Sequence, residues 1–483
     1  MSLKLQNYKT LPHTSGEIEP SGAFTGGRAW AARFNILIGR NRLADGGSGR
    51  VVGVMGCVHR LPGLVLVDHE FSVPLDYAKP DGERIGVFGR EVVASDKEKQ
   101  DLPWLVFFQG GPGLSAPRPE ERGGWLKRAL QEYRVLLLDQ RGTGRSTPIN
   151  YQSLARFVTP RGRADYLRSF RADSIVRDAE LIRRELVGEK GRWSVLGQSY
   201  GGFCVTHYLC VAPGGLREAM LTGGLPPLDR HPDDVYRATY RRVIDKNRLF
   251  YERYPDDVER VRGVVDHLVS HEVCLPDGDR VSPRRFQQLG IVFGMGNGFE
   301  RVHYLLEDAF LRGASDREIG YAFMRGFENS LWFETNPIYA ILHESIYCEG
   351  VASNWSAGRV RSEFPEFEVR SGEPVFFTGE MVYPWMFDEC RYLSPLKEAA
   401  GILAEYDGWP GLYDKSVLQA NGVPCAAVVY YNDMYVERAF SEETARNIRG
   451  IKLWVTNEFE HDGLRVDGER VLGRLLGMLH GEV

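Results

Sequence analysis

The sequence has no C-x-x-C pair, and its seven cysteines (57, 204, 210, 274, 348, 390 and 425) are scattered and odd in number. A disulfide framework is therefore disfavoured, and a reducing compartment is the simplest reading. No run approaches the roughly 18 consecutive apolar residues of a membrane span. The N-terminus lacks a basic segment followed by an apolar stretch, so a secretory signal is not expected. These absences predict a cytoplasmic protein with no membrane partner. Positive charge is not in excess either: 60 Lys+Arg stand against 65 Asp+Glu, a formal net charge of -5, which disfavours a nucleic-acid partner. H-E-x-x-H is absent and the His and Cys residues lack ligand spacing, so neither a metal nor a cofactor is expected.

What is present is an ordinary globular composition, 43% hydrophobic and 26% charged over 483 residues. That length suits one large domain with insertions or about three average ones. Residues 1 to about 60, rich in Gly, Ser and Asn, read as a loosely ordered N-terminal extension. Glu17 and Glu19 argue against an organelle-targeting peptide there.

Alternating and β-branched residues predict strands at Leu64 to Val73 and Arg84 to Val93, with Pro80 to Gly82 as the turn. Trp104 to Phe108 (WLVFF) and Val135 to Leu138 (VLLL) are short continuous apolar runs, as expected of strands buried on both faces of a parallel sheet. An amphipathic helix from Asp173 to about Val187, a strand at Trp193 to Leu196, a helix at Tyr200 to Val211 and a strand at Glu218 to Leu221 continue the alternation. The rhythm stops from about Asp229 to Asp414, where helical patterns dominate. It resumes with strands at Cys425 to Tyr430 and Lys452 to Val455, a helix near Glu442 to Ile448 between them, and a terminal helix from about Glu469. Alternating strands and helices predict an α/β fold with a mostly parallel sheet. The organisation expected is an extension (1–60), a core in two parts (61–228 and 416–483) and a helical cap (229–415) inserted between them.

Gly197-Gln198-Ser199-Tyr200-Gly201 lies between a buried strand and a helix, the context in which G-x-S-x-G forms a nucleophile elbow and the fold is that of an α/β-hydrolase. The glycines relieve crowding at a sharp turn that lifts the Ser199 hydroxyl clear of the sheet. A Gly-rich surface turn is the bland alternative. A serine nucleophile needs a base, and the base needs an orienting carboxylate. In this fold they follow in the order Ser, Asp or Glu, His. Asp433 follows the strand ending at Tyr430, and His461 lies in the loop after Lys452 to Val455. Asp433 could instead cap a turn, and His461 is one of eleven histidines. Yet only His480 otherwise follows Asp433, and it falls in the terminal helix. The oxyanion hole is expected from the backbone N–H groups of Tyr200 and Gly111, the latter in Gln109-Gly110-Gly111-Pro112-Gly113 directly after WLVFF.

Seven stretches together resemble the proline iminopeptidases, in particular the longer-chain members with an enlarged cap: GGPG (110–113), DQRGTGRS (139–146), GQSYGG (197–202), HESIYCEG (343–350), GEMVYPWMF (379–387), YYNDMYV (430–436) and FEHDGLR (459–465). The resemblance runs from about Leu64 to the C-terminus. It implies a triad of Ser199, Asp433 and His461, a cap over the pocket, and peptide substrates with an N-terminal proline. Many family members carry His before GGPG where this chain has Gln109; the loop acts through its backbone, so little loss is expected. Glu344 matches the family position associated with the substrate amine. On a helical projection it falls opposite Ile338, Ile341, Leu342 and Ile346, a face that meets either pocket or water. Glu380 is a second candidate carboxylate on the same electrostatic ground. Tyr200, Trp332, Phe333, Tyr383 and Trp385 could wall a pyrrolidine ring or simply form cap core. Two rival readings are an esterase or amidase for other small acyl compounds and a catalytically silent hydrolase fold that binds.

Overall fold

The computed structural model describes residues 54–311, 313 and 318–483. Residues 1–53 of the expected extension lie outside the described residues. Nine strands form one sheet: β1 Val54–Leu61, β2 Leu64–Pro74, β3 Arg84–Ala94, β4 Trp104–Phe108, β5 Arg134–Asp139, β6 Trp193–Gln198, β7 Leu216–Thr222, β8 Cys425–Tyr430 and β9 Lys452–Thr456. Their order is β1-β2-β3-β5-β4-β6-β7-β8-β9. The first three strands and β5 pair antiparallel, and every pairing from β5 onward is parallel.

β1 corrects the boundary expected at residue 60, which falls inside this strand. The segment VMGCVHRL has little alternation because β1 is an edge strand with exposed residues on both faces, and pairing with β2 defines it. The continuous apolar runs behave as their patterns predict. In β4, Val106 and Phe108 enter one core while Leu105 and Phe107 enter the other, so the sheet is covered on both faces. The helix Ala172–Val187 packs Ile175, Val176, Ala179 and Ile182 inward.

Between Thr222 and Cys425 the described residues form helices, 3₁₀ turns and isolated bridges, the longest helix being Pro232–Arg253. This insertion has an aromatic core of its own. Phe250 stacks on Phe293 at 4.8 Å and meets Phe377 edge-on at 6.0 Å.

The topology gathers the site. Chain order reverses around β4, which lies between β5 and β6, and parallel strands β4, β6, β8 and β9 all end at the same edge of the sheet. A crevice outside the carboxyl ends of strands at such a reversal is where open α/β sheets bind ligands. The loops carrying Gly111, Ser199, Asp433 and His461 follow those four strands in turn.

Candidate active site

Ser199 connects β6 to the helix Tyr200–Val211 with φ 54 and ψ −126, a conformation that costs a non-glycine residue about 1–3 kcal/mol. Glycine is required beside it. A Cβ at Gly201 would stand 2.0 Å from the Phe108 carbonyl oxygen, and one at Gly197 would stand 2.4 Å from the Gly201 oxygen. The strain is held by a helix buried almost throughout its length. The loop after β4 lies against the serine, since a Cβ on Gly110 would come within 2.9 Å of the Ser199 Cβ. Gly111 has φ +130, available to glycine and strained for other residues. Among the described residues its N–H donates to no protein acceptor.

Asp433 and His461 are buried together, with Asp433 Oδ2 2.7 Å from His461 Nδ1. The other carboxylate oxygen is committed, accepting the N–H groups of Tyr435 at 2.8 Å and Val436 at 3.1 Å. An ionised carboxylate can only accept, so Nδ1 carries the hydrogen and Nε2 is left as the basic nitrogen. Burial lowers the proton affinity of His461. The charge and hydrogen bond of Asp433, with a further contribution from Glu380, outweigh it and raise the pKa. The histidine loop is fastened to the insertion: His461 N–H donates to Gly294 O at 3.1 Å, and Gly296 N–H to Asp462 Oδ1 at 2.9 Å. Tyr435 packs edge-on against the imidazole at 4.8 Å.

Ser199 and His461 line one cavity of about 270 Å³, together with Gly110, Gly111, Glu380 and Tyr435 among others. Glu380 presents the acidic group. Burial pushes its carboxyl up to about 7, against the lowering effects of the Tyr339 hydroxyl, which donates to it, and of His461. His343, 3.8 Å away, is pushed down to about 3 by burial and stays neutral beside it.

Glu344 takes a different place from the one expected. It is not among the residues lining the cavity, and its two oxygens accept the N–H groups of Ala357 at 2.9 Å and Ser356 at 3.1 Å. The reason is a change of helix type: the α-helix Pro337–Leu342 gives way to a 3₁₀ turn at Glu344–Tyr347, which breaks the projection that placed Glu344. Burial raises its carboxyl to about 7. The unpartnered, buried Tyr236 hydroxyl has its pKa raised by burial first and then by the charges of Glu344, Tyr347 and Glu380.

Of the five aromatics considered for a ring wall, Trp332 lines the cavity; Tyr200, Phe333, Tyr383 and Trp385 are not among its lining residues. Sequence reasoning missed Tyr339 and Tyr435, which do line it. Tyr435 lies two residues after Asp433, and that proximity was the available signal. Outside the cavity, Asp279, Glu334 and Cys390 bring ligand-type atoms within 4.8 Å of one another. The Arg285 guanidinium is bound to Asp279 at 3.1 Å, a fixed cation that a metal ion there would have to face.

A strained serine elbow, a buried Asp–His pair and a glycine loop at the carboxyl edge of a mostly parallel sheet are features of the α/β-hydrolases, and residues 103–266 match the alpha/beta hydrolase fold family. Two curated relatives cover most of the chain. A proline iminopeptidase of Aeromonas sobria is 52% identical over 417 residues, 86% of this chain and 97% of its own length. The proline iminopeptidase aneH of Aspergillus aculeatus is 34% identical over 420 residues, 84% of this chain and 92% of its own. A tripeptidyl aminopeptidase of Streptomyces lividans is 26% identical over 218 residues, 38% of this chain and 39% of its own. The chain belongs to the proline iminopeptidase family of serine hydrolases.

Proposed function

We propose that the protein is an aminopeptidase that releases N-terminal proline from peptides through an acyl-enzyme on Ser199. The carrying observation is that Ser199 and the Asp433-oriented His461 share a cavity with one partly buried carboxylate, Glu380. His461 Nε2 takes the hydroxyl proton as Ser199 Oγ attacks the prolyl carbonyl, then gives it to the departing amine. Asp433 holds the tautomer and stabilises the imidazolium. The N–H groups of Gly111 and Tyr200 stabilise the oxyanion. Water then repeats the sequence and frees proline.

The protonated secondary amine of proline binds Glu380, whose ionisation it restores, and Glu344 adds negative charge behind it. The helical insertion acts as the cap. It closes the cavity behind the amine and so restricts cleavage to the first peptide bond. Seven unpaired cysteines support placing the protein in the cytoplasm. Among the described residues no helix is long and apolar enough to cross a membrane.

The test compares proline-arylamide, alanine-arylamide and a short ester with wild type and Ser199→Ala, alongside organophosphonate labelling. Preference for the proline-arylamide, lost with labelling in Ser199→Ala, is expected. Equal turnover of all three substrates would transfer the assignment to a general esterase or amidase, and failure to label Ser199 would point to a silent binding fold.

A further inference from the structure

Two cations of the cavity wall take no part in those steps. Arg301, on the helix Gly298–Glu307, and Arg465, on the short helix Gly463–Val466, both line the cavity, and both are exposed. Other arginines around the insertion are paired: Arg242 with Glu437 at 2.8 Å, Arg253 with Glu300 at 2.7 Å and Arg285 with Asp279 at 3.1 Å. Among the described residues, Arg301 and Arg465 have no carboxylate partner. The acids next to them in sequence are engaged elsewhere. Glu300 binds Arg253 and Tyr254, Asp462 accepts the Gly296 N–H, and Glu460 pairs with Lys246.

The cavity therefore holds charge of both signs. The partly buried Glu380 lines it together with two exposed guanidinium groups that have no carboxylate partner among the described residues, and Ser199 and His461 line the same space. The field of Arg465 extends to the catalytic ring, where, after burial, Asp433 and Glu380, it is the smaller influence that lowers the His461 pKa. A guanidinium presents a fork of N–H donors matched to a carboxylate, and two of them on the wall of one cavity suit an anionic group of a bound molecule. A short peptide is a zwitterion with the complementary pair of charges: amine on the acyl side of the scissile bond, carboxylate on the leaving side. At about 270 Å³ the cavity lies just below the range of small-molecule sites, about 300–1,000 Å³, which favours a short substrate.

We propose that Arg301 and Arg465 bind the C-terminal carboxylate of the substrate, so that free short peptides beginning with proline are preferred over peptides with a blocked C-terminus. This rests on the aminopeptidase reading above. It makes the two arginines determinants of specificity on the leaving-group side.

The experiment measures kcat/KM for proline-arylamide, the dipeptide prolyl-alanine and its C-terminal amide. Prolyl-alanine is expected to exceed its amide by about tenfold, mainly through KM, with the ratio shrinking toward 1 M salt, where the Debye length is about 3 Å. In the Arg301→Gln, Arg465→Gln double variant the ratio within that variant should fall to about one, and the Arg301→Lys, Arg465→Lys variant should keep part of it. Equal rates for acid and amide in a wild type that cleaves proline-arylamide would overturn the carboxylate site alone. A ratio that survives in the double glutamine variant would overturn the assignment to these arginines. Failure to cleave proline-arylamide would overturn the aminopeptidase reading beneath both.

Discussion

Replacing Glu380 with glutamine should make the protein more stable and less active, because both effects come from one desolvated charge. Burial raises the carboxyl from 4.5 to about 7. Ionising it in the folded protein without substrate therefore costs about 3 kcal/mol more than in the unfolded chain, at about 1.4 kcal/mol per pH unit. Between those two values the folded state holds a proton that the unfolded chain has released. Stability from this group consequently falls as pH rises from 4.5 through 7 and levels off above. Glutamine keeps the shape and an acceptor for the Tyr339 hydroxyl, but has no charge to desolvate. Glu380→Gln should gain about 3 kcal/mol over wild type at pH 8 and under about 1 kcal/mol at pH 5, read from urea unfolding at both pH values. Under the proposed function the same change removes the counter-charge of the substrate amine. kcat/KM for proline-arylamide at pH 8 should drop about 100-fold, chiefly in KM, the value of a charged hydrogen bond. The acidic limb of the wild-type pH profile should need two deprotonations, of Glu380 and of His461, and that of the variant only one. A variant no more stable at pH 8 than wild type, or one with unchanged kcat/KM, would refute the reasoning.

Asp433→Asn should keep the fold, because an amide oxygen can still accept from Tyr435 and Val436, but kcat should fall about 10⁴-fold through the wrong imidazole tautomer; steady-state kinetics of folded variant decide it. Gly294→Ala would set a Cβ 2.2 Å from Tyr435 Cε2, beside the ring that packs on His461. It should cost about 1–3 kcal/mol in urea unfolding and lower kcat more than it raises KM. Glu344→Ala leaves the N–H groups of Ser356 and Ala357 without their acceptor, so at pH 6 the unfolding free energy should fall by about 2 kcal/mol or more. An unchanged thermal midpoint would show that the carboxylate does not hold that turn.

The short elements were legible because each rests on a few contiguous residues. WLVFF and VLLL could be read as buried strands because continuous apolar runs need cover on both faces, and β4 and β5 have it. Asp433 and His461 could be placed by chain order because parallel strands deliver their loops to one sheet edge. β1 was not legible: its edge position leaves no strong alternation, and its identity comes from pairing with β2 across the turn at residues 62–63.

The ranking of the two carboxylates was also beyond the sequence. A uniform α-helical projection carried Glu344 toward either a pocket or water, whereas the backbone tightens to 3₁₀ at that residue and its oxygens accept from the amides of Ser356 and Ala357. The same holds for the bond from His461 to Gly294 and for the two arginines that line one cavity with Glu380, residues brought together across long separations in the chain. The sequence by itself determined the elbow, the chain order of the candidate residues Ser199, Asp433 and His461, and the alternating sheet, since these follow from steric and periodic demands on neighbouring residues. Only the tertiary structure decided which charges face the cavity, because that depends on how the insertion packs against the carboxyl edge of the sheet, and no local pattern encodes it.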